Sequence, residues 1–400
     1  MKADGRMTKD EWETVALGDL VEPAKTWNPT RLPSDEVFGY IDLSAVDQDA
    51  KLITAAREIS CGDAPSRARQ LVARGDVLVS TVRPNLNGVA RVPDQLDGAT
   101  ASTGFCVLRA RESKFDGGYL FHWVKSPAFV ADMVNKATGA SYPAVSDRII
   151  FDSRIPLPPL AEQRRIAEVL DRAEALRAKR RAALAQLDSL TQSLFLDLFG
   201  DPATNPKRWP AIQLGDVVFS ASDGPHVSPD YVDSGIPFLS TRHVRPGGMS
   251  WEDLKFISSE EAQIHWRKCK PERGDVLYTK GGTTGIAKVV DWDNPVAIWV
   301  HIALLKTDKS KVEPVWLEAM LNAPFCYQQS QRLTRGIANR DLGLTRMVTI
   351  KMYLPPISLQ REFARRVAAI EALKTAQRAS LRELDALFAT LQHRAFRGEL

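Results

Sequence analysis

Two stretches of the chain combine strong helix formers with a repeating pattern of apolar positions. Residues 160–199 and 358–397 contain neither glycine nor proline and are rich in alanine, leucine, arginine and glutamate. In the first stretch, apolar side chains recur every seven residues in two series: Ile166, Ala173, Leu187 and Leu194, interrupted by Arg180, and Val169, Leu176, Ala183 and Leu190. In the second, apolar positions alternate at steps of three and four residues. They are Phe363, Val367, Ile370, Leu381, Leu384, Phe388 and Leu391, and Lys374 and Gln377 interrupt the pattern. The pattern predicts two long helices, ended by Gly200 and Gly398, that pair as a coiled coil.

The rest of each half has short apolar runs between turns. Residues 12–156 and 209–352 are dense in glycine and proline, and apolar runs such as residues 77–82 are typical of β-strands. We expect each segment to form one α/β domain of mixed α+β content, about 140–150 residues long.

The two halves repeat one another at a nearly constant offset. Trp12 and Trp209 each precede a Leu-Gly-Asp triplet 197 residues from its counterpart, and the Leu-Pro-Pro triplet at residues 157–159 returns at residues 354–356. The run Arg-Gly-Asp-Val-Leu at residues 74–78 returns 199 residues later. These matches predict a tandem duplication, with domains at 1–156 and 201–353 and helical segments at 157–200 and 354–400. A closed pseudo-twofold arrangement with antiparallel helices is the expected one, and the alternative is that each helix packs only on its own domain.

Composition and charge restrict the class of protein only loosely. The chain has 400 residues, a formal net charge of +4 and four cysteines, none of them in a Cys-x-x-Cys pair, which argues against a disulfide framework or a zinc site. The longest apolar run, residues 296–305, is too short to span a bilayer, and residues 1–12 lack the apolar core of a signal peptide. We therefore expect a cytoplasmic protein with no membrane partner, and the positive charge permits a nucleic-acid partner.

Motifs of common enzymes are missing from the sequence. The glycine-rich run at residues 281–288 lacks the spacing of a phosphate-binding loop. We find no dinucleotide-binding Gly-x-Gly-x-x-Gly motif, no serine-nucleophile elbow, and no Asn/Asp-Pro-Pro-aromatic loop of an adenine methyltransferase. Two long helices without a catalytic signature favour a binding protein.

The junction between the first domain and the first helix carries a specific resemblance. The run Ile-Pro-Leu-Pro-Pro-Leu-Ala-Glu-Gln-Arg-Arg-Ile-Ala at residues 155–167, leading to Leu198-Phe199-Gly200, resembles the central conserved region of the specificity subunit of type I restriction–modification systems. The order of domain, helix, domain, helix is similar to that family over essentially the whole chain. The resemblance implies a prokaryotic, non-catalytic DNA-reading subunit, in which each domain recognises one half of a bipartite target and the paired helices set the gap.

The resemblance also implies partners for the helices. Two modification subunits, which carry S-adenosylmethionine, would bind this chain, and restriction subunits would add ATP-driven translocation and Mg²⁺-dependent cleavage; no cofactor is expected in this chain. The partner-subunit interface would include Pro159, Glu162, Gln163, Arg164, Pro356, Gln360 and Arg361. The second copy departs from the family pattern because Leu359 replaces the glutamate that Glu162 supplies, and Arg366 stands where the first helix has Val169.

Loops of both domains carry residue types that contact DNA. Arginine pairs with guanine and asparagine with adenine, while hydroxyl groups and lysine contact phosphates. The candidate DNA-binding residues are Thr81, Arg83, Asn85, Asn87, Ser141 and Tyr142 in the first domain, and Arg242, His243, Lys280, Thr283, Thr284, Arg335, Asn339 and Arg340 in the second. The alternative is that these loops are ordinary solvated hairpins.

Two other functions remain open on the sequence alone. One is a standalone DNA-modifying enzyme with an unrecognised active site in one of the domains. The other is a scaffold whose duplicated domains bind protein instead of DNA.

Overall fold

The computed structural model describes residues 12–337 and 339–400. Residues 1–11, which the sequence predicts to be polar and without a signal peptide, and Ala338 of a candidate loop lie outside the described residues. Among the described residues, no helix has the length and the apolar character needed to cross a membrane.

The first domain (residues 12–156) is built from short strands and four helices. Its strands, with the last reaching Leu157, are β1 (Glu13–Ala16), β2 (Val21–Glu22), β3 (Lys25–Thr26), β4 (Val37–Ile41), β5 (Val46–Asp47), β6 (Leu52–Ile53), β7 (Arg57–Ser60), β8 (Ala68–Leu71), β9 (Val77–Ser80), β10 (Val89–Arg91), β11 (Thr100–Ser102), β12 (Phe105–Ala110) and β13 (Arg154–Leu157). Its helices are α1 (Leu17–Leu20), α2 (Gly117–Val124), α3 (Pro127–Lys136) and α4 (Asp147–Phe151). The long helix α5 (Leu160–Phe199) follows.

The second domain (residues 201–353) repeats this plan. Its strands are β14 (Ala211–Gln213), β15 (Val218–Asp223), β16 (Tyr231–Val232), β17 (Ile236–Leu239), β18 (Val244–Arg245), β19 (Gly248–Met249), β20 (Lys255–Ile257), β21 (Val276–Thr279), β22 (Ala287–Val289), β23 (Ala297–Ile298), β24 (Ile302–Thr307) and β25 (Lys351–Tyr353). Its helices are α6 (Ser259–Trp266), α7 (Pro314–Asn322), α8 (Pro324–Leu333) and α9 (Leu344–Met347), and the second long helix is α10 (Ile357–Ala395).

Each domain has two larger sheets, and in the first domain strand β9 is buried on both of its faces. In the first domain the sheets have the orders β10-β9-β12-β2 and β3-β8-β11-β4-β7, and in the second β15-β24-β21-β22 and β16-β20-β17-β23. Side chains alternate between the faces of a strand, so Val77 and Val79 of β9 enter the core beneath α2 while Leu78 enters a second core. Burial on both faces explains why Val77, Leu78 and Val79 follow one another without an intervening polar residue.

Two compact units divide the long helices between them. One contains residues up to 182 together with 379–400, and the other contains 183–378. In the first unit, Ile166 and Leu170 of α5 share a core with Phe388 of α10. In the second, the rings of Phe195 and Phe363 lie 5.8 Å apart between centroids. Because low-numbered positions of one helix meet high-numbered positions of the other, the two helices run antiparallel within each unit.

The same ion pair recurs in both units. Arg177 Nε lies 2.6 Å from Asp385 Oδ1 in the first unit. Lys374 Nζ lies 2.9 Å from Asp188 Oδ1 in the second. Each residue of one pair has its counterpart 197 residues away in the other pair, so the predicted duplication extends to the pairing between the helices. Since the helix ends also join the domain cores, the helices both pair and pack on their domains.

The predicted inward-facing positions are confirmed for α10 but only half correct for α5. All seven predicted apolar positions of α10 are buried or half-buried. In α5, Leu170 is fully buried, whereas Leu176 and Leu190 of the predicted second series are 53% and 48% exposed. The step after Ile166 is therefore four residues and not three, which places Leu170, Arg177, Leu184, Thr191 and Leu198 on the inward side. The prediction erred because leucines stand on both sides of the correct phase.

Candidate nucleic-acid interface

Two loops that are distant in sequence meet at the end of β9 in the first domain. An isolated β-bridge joins Val82 to Ala144, and a second joins Thr138 to Ala144. The Arg83 N–H donates to the Pro143 carbonyl at 2.7 Å. The candidate residues of the loop at 80–88 and those of the loop at 138–145 therefore form one surface.

Arg83 is held on this surface in a defined orientation. Its guanidinium carbon lies 4.9 Å from the centre of the Tyr142 ring, an arrangement that favours cation–π attraction. Tyr142 is 68% exposed and Arg83 is also exposed, so the pair projects from the domain. The φ of Arg83 is +50°, in a left-handed region that non-glycine residues seldom occupy. Such strained backbone is concentrated at functional sites.

The second domain brings the matching loops together by matching contacts. Gly281 and Arg335 each form a bridge with Asp341, and the Gly282 N–H donates to the Arg340 carbonyl at 3.0 Å. Gly282 therefore occupies the place of Arg83, with a φ of +67°. The shared pattern of contacts identifies these two loop pairs as equivalent.

Lys280, predicted to contact DNA, is buried inside the second domain. Its ammonium lies 3.1 Å from Asp341 Oδ1 and 3.3 Å from Asp223 Oδ2, and it donates to the Val300 carbonyl at 3.2 Å. Burial of Asp223 opposes its ionisation, but the hydrogen bond from Lys268 and the charge of Lys280 hold the pKa of Asp223 below its ordinary value. The sequence-based assignment of Lys280 to the DNA surface is therefore wrong, because two carboxylates already satisfy the lysine.

Three other candidates also point inward. Thr81 is buried and donates to the Gly104 carbonyl at 2.9 Å. Thr284 is buried and pairs with the Thr334 hydroxyl at 3.1 Å. His243 is 1% exposed, and its Nδ1 accepts the Ser240 N–H at 2.8 Å. These side chains fix loop geometry and do not present a group to a ligand.

The other candidates lie at or near the surface. Asn87 is half-buried, with its amide 3.4 Å from the Lys125 carbonyl. Arg242 stands on a separate turn and donates to the Asp253 carbonyl at 3.1 Å. The exposed candidates are Arg83, Asn85, Ser141, Tyr142, Arg242, Thr283, Arg335, Asn339 and Arg340.

Gln163, expected at the partner surface, instead joins α5 to the first domain. It is 1% exposed, and its Oε1 accepts the Asp116 N–H at 2.9 Å. Its Nε2 donates to the carbonyls of Pro158 and Lys114 at 2.8 and 3.2 Å. Because Asp116 caps the N-terminus of α2, the glutamine fixes that helix against α5.

Gln360 makes the same contacts in the second unit. Its Oε1 accepts the Glu313 N–H at 2.9 Å, and its Nε2 donates to the carbonyls of Pro355 and Lys311 at 2.7 and 3.3 Å. Gln360 is fully buried. The assignment of both glutamines to a partner contact is therefore corrected, since backbone groups of the chain itself occupy both amides.

The remaining partner candidates differ in accessibility. Glu162 is half-buried and forms an ion pair with Arg165 at 2.6 Å. Leu359, at the equivalent position of the second copy, packs against the core of the second unit. The candidates that remain exposed are Pro159, Arg164, Pro356 and Arg361.

Sequence reasoning missed four exposed leucines that occupy equivalent positions in the two long helices. Leu176 and Leu387 belong to the first unit, and Leu190 and Leu373 to the second. Each is between 48% and 54% exposed, and each leucine of α5 has its counterpart 197 residues later in α10. In an antiparallel pair, these positions flank the inward-facing residues on the same side of both helices. Comparing the two copies would have revealed them, because Leu373 and Leu387 already lie outside the predicted inward positions of α10.

One side-chain cluster has donors suited to a metal ion. His122 Nε2 lies 2.7 Å from Asp171 Oδ1, with Glu174 close by. Burial lowers the pKa of His122 below its ordinary value, outweighing the hydrogen bond with Asp171. The Lys125 ammonium lies 2.5 Å from Glu174 Oε2. This cation already pairs with one of the two carboxylates and His122 with the other, so the arrangement fits a structural hydrogen-bond and ion-pair network better than a metal centre.

Comparison with known proteins finds similar sequences among the specificity subunits of type I restriction enzymes. A family model described as the type I restriction modification DNA specificity domain matches residues 9–186. The chain is 24% identical over 327 residues to the specificity subunit of the type I restriction enzyme EcoBI from Escherichia coli, covering 74% of this chain and 68% of that protein. It is 21% identical over 398 residues to the MjaVIII specificity subunit from Methanocaldococcus jannaschii, covering 95% and 91%.

Solved structures share the fold. A chain from a study of complex assembly and conformational transition of the type I restriction–modification system matches with a TM-score of 0.60 and 28% identity, covering 97% of this chain and 98% of that one. The S subunit of a type I system from M. genitalium matches with a TM-score of 0.59 and 13% identity over 99% and 98% of the two chains. Sequence motif, duplicated loops and these comparisons agree: the chain is similar to type I restriction–modification DNA specificity subunits along nearly its whole length.

Proposed function

We propose that this chain selects the DNA target of a type I restriction–modification complex, with each domain reading one half of a bipartite sequence. The observation that carries the proposal is the matched pair of loops in the two domains, each joined by equivalent bridges. The loops present exposed arginine, asparagine and tyrosine side chains, which are suited to base edges and phosphates. As a specificity subunit, the chain acts without a catalytic site of its own.

Arg83 is the base-reading residue that the first domain supports best. Arginine contacts guanine through two parallel hydrogen bonds to O6 and N7, and such recognition depends on a fixed guanidinium plane. The Tyr142 ring at 4.9 Å restricts that plane. We therefore assign Arg83 to a guanine in the first half-site, with Tyr142 as its positioning residue. Asn85, Ser141, Thr283, Arg335, Asn339 and Arg340 complete the proposed contact set, and Lys280, Thr81, Thr284 and His243 support the loops from inside.

The modification subunits would bind along the exposed leucines of the long helices. Isolated exposed leucines are common, but equivalent pairs on both units form a repeated apolar surface. Pro159 and Arg164 recur as Pro356 and Arg361, also exposed. Two equivalent surfaces on one chain suit two copies of one partner, in agreement with the two modification subunits that the family resemblance implies.

Cofactors of the system would reside on those partners. S-adenosylmethionine belongs to the modification subunits, and ATP and Mg²⁺ to the restriction subunits, in this proposal. That the paired helices set the length of the gap between the two half-sites likewise stays a prediction.

A methylome measurement tests the function as a whole. The chain is expressed with its modification subunit, and methylated adenines are mapped by single-molecule sequencing. We expect a two-part motif with a fixed gap, and exchange of residues 12–156 for those of a relative should change only one half. A stable complex that methylates no such motif would refute DNA recognition. It would favour the alternative that the chain is a scaffold whose domains bind protein. Methyl transfer or cleavage by the purified chain alone would favour the standalone enzyme.

The Arg83 assignment has its own test. Arg83→Ala should weaken binding of the complex to its target by about tenfold, as expected for loss of a bidentate base contact. Replacing the contacted guanine by 7-deazaguanine should weaken the wild-type complex and have little further effect on the variant. Arg74→Ala is the matched control, because Arg74 is exposed before the opposite end of β9. Equal loss in both variants would refute the assignment.

The helix surface is tested by co-purification. Leu176→Asp and Leu373→Asp, made together, should release the modification subunits, whereas Leu196→Asp should not. Leu196 is 44% exposed but lies on the outward side of α5. Full retention of both modification subunits by the double variant would refute this docking surface.

A further inference from the structure

The second domain contains an open cleft that the proposed function leaves unused. Its volume is about 420 Å³, and its walls include Tyr231, Phe238, Trp299 and His301, with Arg242 and Lys255 beside them. This volume lies within the range of small-molecule sites, about 300–1,000 Å³.

The aromatic side chains form a continuous row. The Phe238 ring lies 6.1 Å from Tyr231 and 5.6 Å from Trp299 between centroids. Trp299 continues the row to His301 at 6.2 Å. Phe238 is buried and forms the floor, while Tyr231 is 39% exposed and Trp299 and His301 are accessible. The accessible rings offer a surface on which a flat ring can stack.

Two cations border these rings. The Lys255 ammonium lies 4.1 Å from the centre of the Tyr231 ring. Arg242 is exposed on the turn at Thr241–His243. A ligand that places a planar ring against aromatic side chains and an anion against nearby cations is, in chemical terms, a nucleotide.

The cleft adjoins the loops proposed to contact DNA. The N–H groups of Lys280 and Gly281 both point to the His301 carbonyl, at 2.8 and 3.2 Å. A Cβ on Gly281 would lie 2.4 Å from the His301 ring, so only glycine lets the loop approach this imidazole so closely. His301 therefore belongs both to the cleft and to the base of the loop.

The first domain has small residues at the corresponding positions. The Thr81 N–H donates to the Gly104 carbonyl at 2.9 Å, as the Lys280 N–H does to His301. By this match, Gly104 of the first domain is equivalent to His301 of the second, and Ser102 is equivalent to Trp299. Two of the aromatic walls are therefore particular to the second domain.

We propose that this cleft binds a nucleotide, with its base against Trp299 and Tyr231 and its phosphate near Arg242 and Lys255. The nucleotide has two sources: one extruded from the DNA half-site that the second domain reads, or a free nucleotide. Proteins that take a base out of the duplex read it in such a pocket, between aromatic side chains. The proposal rests on DNA binding by this domain only for the first source.

The first arm of the test uses the intact complex with its modification subunits and the target duplex. A mismatch is placed at each position of the second half-site in turn, apart from the methylated adenine, because extrusion is easiest for an unpaired base. The wild-type complex should bind at least threefold more tightly to the duplex with a mismatch at one of these positions than to the matched duplex. That gain should vanish in Trp299→Ala and in His301→Ala.

The second arm uses the same complex without DNA. Deoxyadenosine monophosphate and thymidine monophosphate are titrated by calorimetry, and binding that the same two variants abolish identifies the free-nucleotide source. Phe219→Ala, which removes an aromatic ring 75% exposed elsewhere in the domain, is the matched control. His301→Ala guards against a folding defect of the tryptophan variant.

The outcomes separate cleanly. A mismatch gain or a mononucleotide affinity that depends on Trp299 and His301 supports the proposal and names the source. Specific binding of the matched duplex with neither effect overturns the cleft while leaving the proposed function intact. Failure to bind the matched duplex would instead count against the proposed function.

Discussion

Replacing Gln163 by alanine should destabilise the first unit, because the side chain satisfies backbone groups at the junction of α2 and α5. It accepts one N–H and donates to two carbonyls, at distances of 2.9, 2.8 and 3.2 Å. Each buried group left without a partner costs about 1–3 kcal/mol, and the Lys114 carbonyl is near enough to solvent to regain a water. The Asp116 N–H and the Pro158 carbonyl then remain unpaired, so we expect a loss of about 2–6 kcal/mol in the free energy of unfolding.

For a unit of this size, that loss corresponds to a fall in Tm of about 4–24 °C. Circular dichroism of the full chain measures it, and hydrogen exchange locates it. Amides of α2 should exchange faster, because Asp116 would lose its anchor. Gln360→Ala should produce the same effect at α7 in the second unit.

The control is Gln192→Ala, which makes the same change at an exposed position of α5. Alanine favours a helix slightly more than glutamine, so the control should be neutral or slightly stabilising. If Gln163→Ala resembled the control in stability but lost the modification subunits, the glutamine would be a docking residue and our structural assignment would be refuted.

Three further predictions concern the interior. Burial keeps His122 neutral beside Asp171, Glu174 and Lys125 and lowers its pKa. Below about pH 6.5 the unfolded state therefore binds more protons than the folded state. The free energy of unfolding should fall as the pH drops from there through the lowered pKa. Urea unfolding at pH 7.5 and at pH 5.5 should show this fall in the free energy of unfolding for the wild type and a smaller fall for His122→Gln. Equal falls in the two proteins would contradict the prediction. Lys280→Ala should lower the free energy of unfolding by about 3 kcal/mol, the low end for a broken buried ion pair, because Lys268 still neutralises Asp223. A loss of DNA affinity without a loss of stability would instead assign Lys280 to the DNA-binding surface. Finally, Leu170→Ala should lower the free energy of unfolding by about 2–5 kcal/mol and Leu176→Ala by less than about 0.5 kcal/mol. The order of these two losses would be reversed if the inward positions of α5 were those predicted from the sequence.

The sequence predicted elements whose signal is local. The bounds of α5 follow from the absence of glycine and proline over Leu160–Phe199. The apolar run at β9 and the loop after it were recognised because strand and turn residues follow one another directly. Gly336 lies 197 residues after Gly139, so the order of the duplication alone relates the loop at 335–340 to the loop at 139–142.

Features that depend on distant residues escaped prediction. Lys280 reads as a surface lysine in a glycine-rich loop, and its burial follows only from Asp223 and Asp341, which lie far away in sequence. Gln163 falls in a charged run, yet its partners are backbone groups of the preceding domain. No local pattern carries that information, because backbone donors and acceptors are the same at every residue.

Comparing the two copies separates residues that maintain the frame from residues that give each half its own character. The glutamines at the domain–helix junctions are identical and make the same three hydrogen bonds, which a shared frame requires in both places. At the loop surface, however, Gly282 replaces Arg83 and Trp299 replaces Ser102. Since one frame carries different side chains at equivalent positions, the two half-sites of the proposed target should be able to change independently. A substitution at a loop tip should therefore alter one half of the target and leave both the other half and the partner surface unchanged.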